Sequence, residues 1–244
     1  MSNTHRRREI HLRYTINNKG VTSIYIDNRA QQFIEYAANQ PGPVLEIGAA
    51  YGTVTLAALQ AGATVIANDI EEQHLQILYN NTPQEIRSRL TILPGCFPEV
   101  LQLPANSLRG FFASRTLGHL DFMALRQGFE KLFFTLCPGS KLFIISGTPY
   151  TRVFKNLIPV YEQRLLYNEL WPGYFPNLKK LVEKKYAAFI PDTLNFLDEK
   201  VLSRELGRVG FVIEESYVFS REDLPEGLRL DGREGYFTVA IKPR

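Results

Sequence analysis

The sequence predicts an α/β protein built on a doubly wound, mostly parallel sheet. Three observations carry the prediction. Short apolar runs bounded by turn residues alternate with helical patterns between 44 and 146, the order that lays helices on both faces of a parallel sheet. The first run passes through a glycine-rich turn directly into a helix, and an acid, Asp69, closes the second run. Those are the marks of a ligand-binding sheet edge.

The first 25 or so residues are polar and basic and read as an arm. Ala30, Phe33, Ile34, Ala37 and Ala38 then recur at helical spacing, with Asp27 as the N-cap and Pro41-Gly42-Pro43 as the stop. Val44 to Ile47 reads as a buried strand, Gly48 to Gly52 as a tight turn, and Thr53 to Gly62 as a helix rich in Ala and Leu. Thr64 to Asn68 is a second strand, and Glu71 to Asn81 a helix ended by Pro83. Leu90 to Leu93 and Leu108 to Ser114 follow as strands. Phe122 to Leu136 is a helix stopped by Pro138-Gly139, and Lys141 to Ser146 is a fifth strand. Residues 148–193 are aromatic and broken by prolines, an irregular or helical insertion. A helix near Glu199 to Val209 precedes an antiparallel pair, Phe211 to Phe219 and Gly235 to Lys242.

Of 244 residues, 45% are hydrophobic and 22% charged, ordinary for a chain that buries a core. The formal charge of +3 sits entirely in residues 1–13, where Arg6, Arg7, Arg8 and Arg13 outnumber Glu9. The remainder balances, which argues against a broad nucleic-acid face. No apolar run approaches the roughly 18 residues of a membrane span, and no apolar segment follows the basic start as a signal peptide requires. Cys96 and Cys137 form no CxxC pair, so neither a disulfide framework nor a cysteine-ligated zinc is expected. A single domain in the cytoplasm is the expectation, with no metal.

The informative stretch is Glu46-Ile-Gly48-Ala-Ala50-Tyr51-Gly52-Thr53. Dinucleotide binders use G-x-G-x-x-G, and Ala50 and Thr53 stand where the second and third glycines belong. Glu46 is a poor neighbour for a pyrophosphate and a good one for an ammonium group. Asp69 can accept hydrogen bonds from ribose hydroxyls.

These residues resemble the first motif of the class I S-adenosylmethionine-dependent methyltransferases, [DE]-x-G-x-G-x-G, with Ala50 as the departure. The resemblance continues through Ala67-Asn-Asp69-Ile70, through 103–120, and through Leu136-Cys-Pro-Gly139 into Ile145. It covers roughly 25–146 and the closing strand pair. It implies a Rossmann-like, seven-stranded sheet with an antiparallel last strand, and S-adenosyl-L-methionine as cofactor. It divides the chain into an arm (1–26), a cofactor-binding core (27–147), a cap-like insertion (148–193) and a C-terminal helix and strand pair (194–244).

The resemblance also implies roles. Glu46 would sit by the methionine end, which Gly48, Ala50, Tyr51, Gly52 and Thr53 wrap through the backbone. Asp69 would hold the ribose hydroxyls and Ile70 would pack on adenine. Cys96 and Phe97 occupy the adenine-amino position, though both also read as an ordinary buried thiol and a core ring. Ser114 would lie next to the methyl group.

Methyl transfer from a sulfonium needs alignment more than proton transfer, so at most one general base is expected. His119, beyond the fourth strand, is the candidate; it also reads as a locally bonded helix-entry residue. His5, His11 and His74 read as arm and surface residues. The segment Ser114-Arg-Thr-Leu117 does not match the [DNS]-P-P-[YF] of enzymes that methylate amino groups of adenine or glutamine.

For the acceptor, Tyr14, Tyr25, Arg115, Tyr150 and Trp171 are candidates. With Tyr174 and Phe175 the aromatics form either a cap over the site or a small satellite core. Basic residues exceed acidic ones by 7 to 3 across 151–190, which favours an anionic acceptor. The expected function is methylation of a small molecule. The alternatives are methylation of RNA or a protein side chain, or cofactor binding without catalysis as an adaptor.

Overall fold

A strand buried along its whole length belongs in the middle of a sheet covered on both sides, and Val44–Ile47 is buried at every position. In the computed structural model, which describes residues 12–16 and 21–244, it is the centre of a seven-stranded sheet. The basic run Arg6 to Arg8, His5 and His11 lie outside the described residues.

The chain opens with a separate antiparallel hairpin of β1 (Leu12–Tyr14) and β2 (Val21–Ser23), so the arm has a structured part that composition alone did not indicate. Then come α1 (Asn28–Ala38), β3 (Val44–Ile47), α2 (Thr53–Gln60), β4 (Val65–Asp69), α3 (Glu72–Asn81) and β5 (Leu90–Pro94). β6 (Leu108–Ser114), α4 (Phe122–Thr135) and β7 (Leu136–Gly147) complete the parallel part. The insertion holds α5 (Ile158–Leu166), β8 (Tyr174–Phe175), α6 (Leu178–Leu181) and α7 (Lys184–Ala187), and β8 pairs with β9 (Leu194–Asn195) just beyond it. α8 (Glu199–Val209), β10 (Val212–Phe219) and β11 (Gly235–Ile241) end the chain.

The sheet order is β10-β11-β7-β6-β3-β4-β5, and β11 alone runs against its neighbours. The chain moves outward from β3 to β5, then returns to β6 on the other side of β3. The reversal opens a crevice at the carboxyl ends of β3 and β6, where open α/β sheets bind ligands.

Alternation along the strands separates two cores. Leu45, Ile47, Phe111 and Ala113 face α4 and α8, where Phe129, Leu132 and Leu202 meet them. Val44 and Phe112 face the other way, onto Phe33 of α1, Leu59 of α2 and Leu75 of α3. The same alternation turns Glu46 toward α2. Helix starts follow their caps: the carboxylate of Asp27 accepts from the N–H groups of Arg29 and Ala30 at 2.9 and 3.0 Å. Asp121 and Asp198 cap α4 and α8 in the same way.

One boundary differs from the sequence expectation. β7 begins at Leu136, directly out of α4, and carries Pro138-Gly139 within it instead of starting after them. Leu136 pairs with Leu108 ahead of a bulge, and the N–H of Gly139 donates to Lys242 O at 2.7 Å. Long-range pairing thus extends the strand through a local stop signal. Among the described residues, no helix is long and apolar enough to cross a membrane.

Phe129 is fully buried on α4, whereas Phe134 on the same helix is 57% exposed. Phe129→Ala is therefore expected to cost about 3–5 kcal/mol in urea unfolding, and Phe134→Ala within about 0.5 kcal/mol. Equal losses would contradict this assignment of the buried face.

Candidate functional site

The turn after β3 is shaped by contacts a side chain would block. Gly48 has φ +64°, and a Cβ there would lie 2.1 Å from Thr116 Oγ1. Gly52 has φ +81°, and its Cβ would lie 2.2 Å from Leu78 Cδ1. Both positions demand glycine on conformation and on space. Between them Ala50 also adopts a left-handed φ of +47°, uncommon outside Gly, Asn and Asp. Its N–H donates to Asp69 Oδ2 at 2.8 Å.

Asp69 gathers the site. Its Oδ1 accepts from the N–H of Glu71 at 2.9 Å and faces His74 Nδ1 at 3.2 Å. The other ring nitrogen of His74, Nε2, accepts from the N–H of Ile16 at 3.0 Å. An imidazole that accepts at Nε2 carries its proton at Nδ1, so His74 donates to Asp69. His74, expected at the surface, is 1% exposed. It shares a helical face with Leu78 four residues on, and that spacing was the available signal. Its ring meets Tyr51 edge-on, centroids 4.9 Å apart. The Tyr51 hydroxyl donates to Tyr14 O at 2.8 Å, and the Arg13 guanidinium lies 3.8 Å over the Tyr51 ring. The hairpin is thereby fastened to the cofactor-type turn through both Tyr51 and His74.

Glu46 is buried and accepts a hydrogen bond from the Thr55 hydroxyl. Burial pushes its carboxyl up to about 7, the Thr55 bond opposes this, and the charge of Asp69 adds to it. Among the described residues no cation pairs with it. Asn68, which sequence reasoning passed over, donates from Nδ2 to Leu93 O and Gly95 O at 2.7 and 2.9 Å, and so ties the end of β5 to β4.

These groups surround a cleft of about 290 Å³. Of the residues singled out from sequence, Glu46, Gly48, Ala50, Thr53, Asp69, Ile70, Cys96, Phe97, Ser114, Arg115, His119 and Tyr25 line it. Ile70 is half exposed on one wall; Phe97 is buried and packs on Gly128 of α4. His119 is exposed at the rim, its N–H donating to Thr116 O at 3.0 Å. The hairpin supplies Thr15 and Val21 to Ser23 as a further wall.

Other candidates lie elsewhere. Tyr51 and Gly52 belong to the turn without lining the cleft, and the centroids of the Tyr14 and Phe189 rings are 5.5 Å apart. Tyr150 belongs to a satellite core with Leu157, Tyr161, Phe175 and Phe196. Trp171 stacks on Phe122 at 4.5 Å and lines a separate, shallow cavity. Of the expected aromatic cap, only Tyr25 therefore reaches the cleft. No group of His, Cys, Asp and Glu among the described residues could hold a metal ion.

Arg115 follows β6 with φ +57°, its N–H donating to Ile145 O at 2.6 Å. Its guanidinium lies 3.5 Å from Asp223 Oδ2. Burial and the nearby Arg221 lower it to about 10, with Asp223 opposing. Burial raises Asp223, but Arg115 and Arg221 outweigh that and hold it at about 2.

No family model matches the chain, and no curated protein matches it. Solved structures do. A methyltransferase dependent on S-adenosylmethionine from Methanosarcina mazei superposes with a TM-score of 0.64 at 17% identity, covering 87% of this chain and 97% of that one. Another from Archaeoglobus fulgidus gives 0.60 at 18%, covering 88% and 91%. The glycopeptide N-methyltransferase MtfA, in complex with S-adenosyl-L-methionine, gives 0.57 at 17% over the full length of both chains. Together with the strand order and the crevice at the carboxyl edge, these likenesses establish that the chain has the Rossmann-like fold of the class I S-adenosylmethionine-dependent methyltransferases.

Proposed function

We propose that the protein transfers a methyl group from S-adenosyl-L-methionine to a small-molecule acceptor. The observation that carries this reading is the convergence, in one cleft, of the turn Gly48 to Gly52 with Glu46 and Asp69. The residues fit the cofactor. The turn leaves main chain bare where a Cβ would intrude, and Glu46 is a buried carboxyl awaiting a cationic partner. When bound, the cofactor supplies a methyl group on a sulfonium, already activated for in-line displacement.

The chain's own groups then have separable tasks. Glu46, ionised, accepts from the ammonium of the methionine end. Asp69 has about four acceptor positions on its two oxygens; Ala50, Glu71 and His74 occupy three, which leaves one for a ribose hydroxyl. Ile70 and Phe97 offer apolar surface to the base, and Cys96 lies beside it. Ser114 and Thr116 bound the end of the cleft where the acceptor would enter. His119 at the rim takes a proton only from an acceptor that carries one. The hairpin and Tyr25 keep water from the reacting atoms.

Asp69→Ala is expected to weaken S-adenosylmethionine and S-adenosylhomocysteine by tenfold or more in calorimetric titration, since a hydrogen bond to a charged group contributes about 1.5–3 kcal/mol. NAD is expected not to bind; a preference for NAD would end this reading. Tight binding of both cofactor forms with no methyl transfer to any acceptor would favour the adaptor function.

The ligand's ammonium requires the ionised form of Glu46, whose proton it must displace below about 7. Affinity for S-adenosylhomocysteine should therefore fall as pH drops through 7, approaching about tenfold per pH unit. Titrations at pH 6.5 in buffers of different ionisation enthalpy should show proton release. Glu46→Gln should bind more weakly and flatten the pH dependence; an unchanged profile would remove Glu46 from this role.

A further inference from the structure

We infer that Arg115 is the anchor for a carboxylate on the methyl acceptor, so that the substrate is a small carboxylate. The inference rests on the methyltransferase reading above and gives it a substrate class. The first ground is unused donor capacity. A guanidinium has five N–H donors, yet among the described residues the Arg115 side chain makes a single ion-pair contact, at 3.5 Å, and no hydrogen bond. The same side chain is three-quarters buried and lines the cleft beside Ser114.

The partners of the neighbouring carboxylates give the second ground. Asp223 is already held by the fork of Arg221, at 3.1 and 2.6 Å. Asp27, also on the cleft wall, is held by the fork of Arg29 at 3.1 and 3.0 Å. Glu234 is turned to the N–H groups of Leu230, Asp231, Gly232 and Arg221. Glu222, at the surface, faces the Tyr25 hydroxyl at 3.3 Å. Arg115 thus shares Asp223 with a guanidinium that holds it at shorter distances, which leaves the donors of Arg115 open. The planar fork of one guanidinium suits a carboxylate held by two parallel bonds.

The backbone supplies the third ground. Among the described residues five non-glycine residues have positive φ, and three of them are asparagines. The other two, Ala50 and Arg115, both line the cleft. Asparagine would serve the turn after β6 with less strain, so the conformation holds this particular side chain in place.

The test uses the full chain saturated with S-adenosylhomocysteine and titrated with benzoate or its neutral isostere benzamide. The wild type is expected to bind benzoate at least tenfold more tightly than benzamide. Arg115→Asn, which suits the left-handed backbone, should abolish that preference while leaving S-adenosylhomocysteine affinity within about twofold. Asp223→Asn, which removes the competing carboxylate, should tighten benzoate. A wild type that binds S-adenosylhomocysteine but shows no preference for benzoate overturns the inference, as does a preference that survives in Arg115→Asn. If Arg115→Asn weakens S-adenosylhomocysteine but not 5′-methylthioadenosine, which lacks the methionine carboxylate, Arg115 serves the cofactor and the inference falls. A wild type that binds no S-adenosylhomocysteine overturns the methyltransferase reading and this inference with it.

Discussion

Buried carboxylates need donors, and the needs of two of them organise the carboxyl edge of this sheet. Asp69 draws in the N–H of Ala50 from the turn after β3, the N–H of Glu71 at the start of α3, and the imidazole of His74. Leaving such a group unpaired costs several kcal/mol. Each partner must therefore be held in place, which fixes the turn conformation, the angle at which α3 leaves β4 and the rotamer of a histidine. Glu46 is treated differently: Thr55 donates to it from its hydroxyl and its N–H, and its ionisation stays poised near neutrality. One acid is committed to structure and keeps a little capacity in reserve. The other is left open to a ligand.

The topology explains why both acids meet. β3 is the strand from which the chain departs in two directions, so its carboxyl end is flanked by β4 on one side and β6 on the other. Gly48 presses on Thr116, beyond β6, while Gly52 presses on Leu78 of α3. A five-residue turn is thus wedged between the two halves of the sheet. The insertion adds no side chain to this cleft. Tyr150, Tyr161 and Phe175 fill a core of their own and Trp171 stacks on Phe122 of α4, while Phe189 meets Tyr14 of the arm.

Much of this was legible in the sequence, for identifiable reasons. Val44–Ile47 and Leu108–Ser114 are short, apolar and bounded by turn residues, so local signals and tertiary burial agree. The turn and its two acids were legible because their spacing along strand, turn and strand is local. What escaped depends on distant partners. The start of β7 at Leu136 follows from its pairing with β6, which overrides Pro138-Gly139. The hairpin at 12–23 rests on backbone contacts to Tyr51 and His74, which no periodicity announces. Whether the aromatics of 148–193 form a cap or a core was undecidable from spacing, because Tyr150 and Phe196 meet only after the chain has doubled back.

The way the hairpin is fastened has a consequence for how this sequence can drift. Tyr51 reaches the carbonyl oxygen of Tyr14, and His74 reaches the N–H of Ile16. The hairpin's half of each hydrogen bond is main chain, present whatever side chain stands there. Tyr14 and Ile16 are themselves exposed. Related chains are thus free to change the outward face of the hairpin, proline at the donating position excepted. Tyr51 and His74 have no such freedom, since the bonds depend on their phenol and imidazole. The cover can vary its chemistry toward whatever approaches from outside while the hinge of contacts beneath it stays the same.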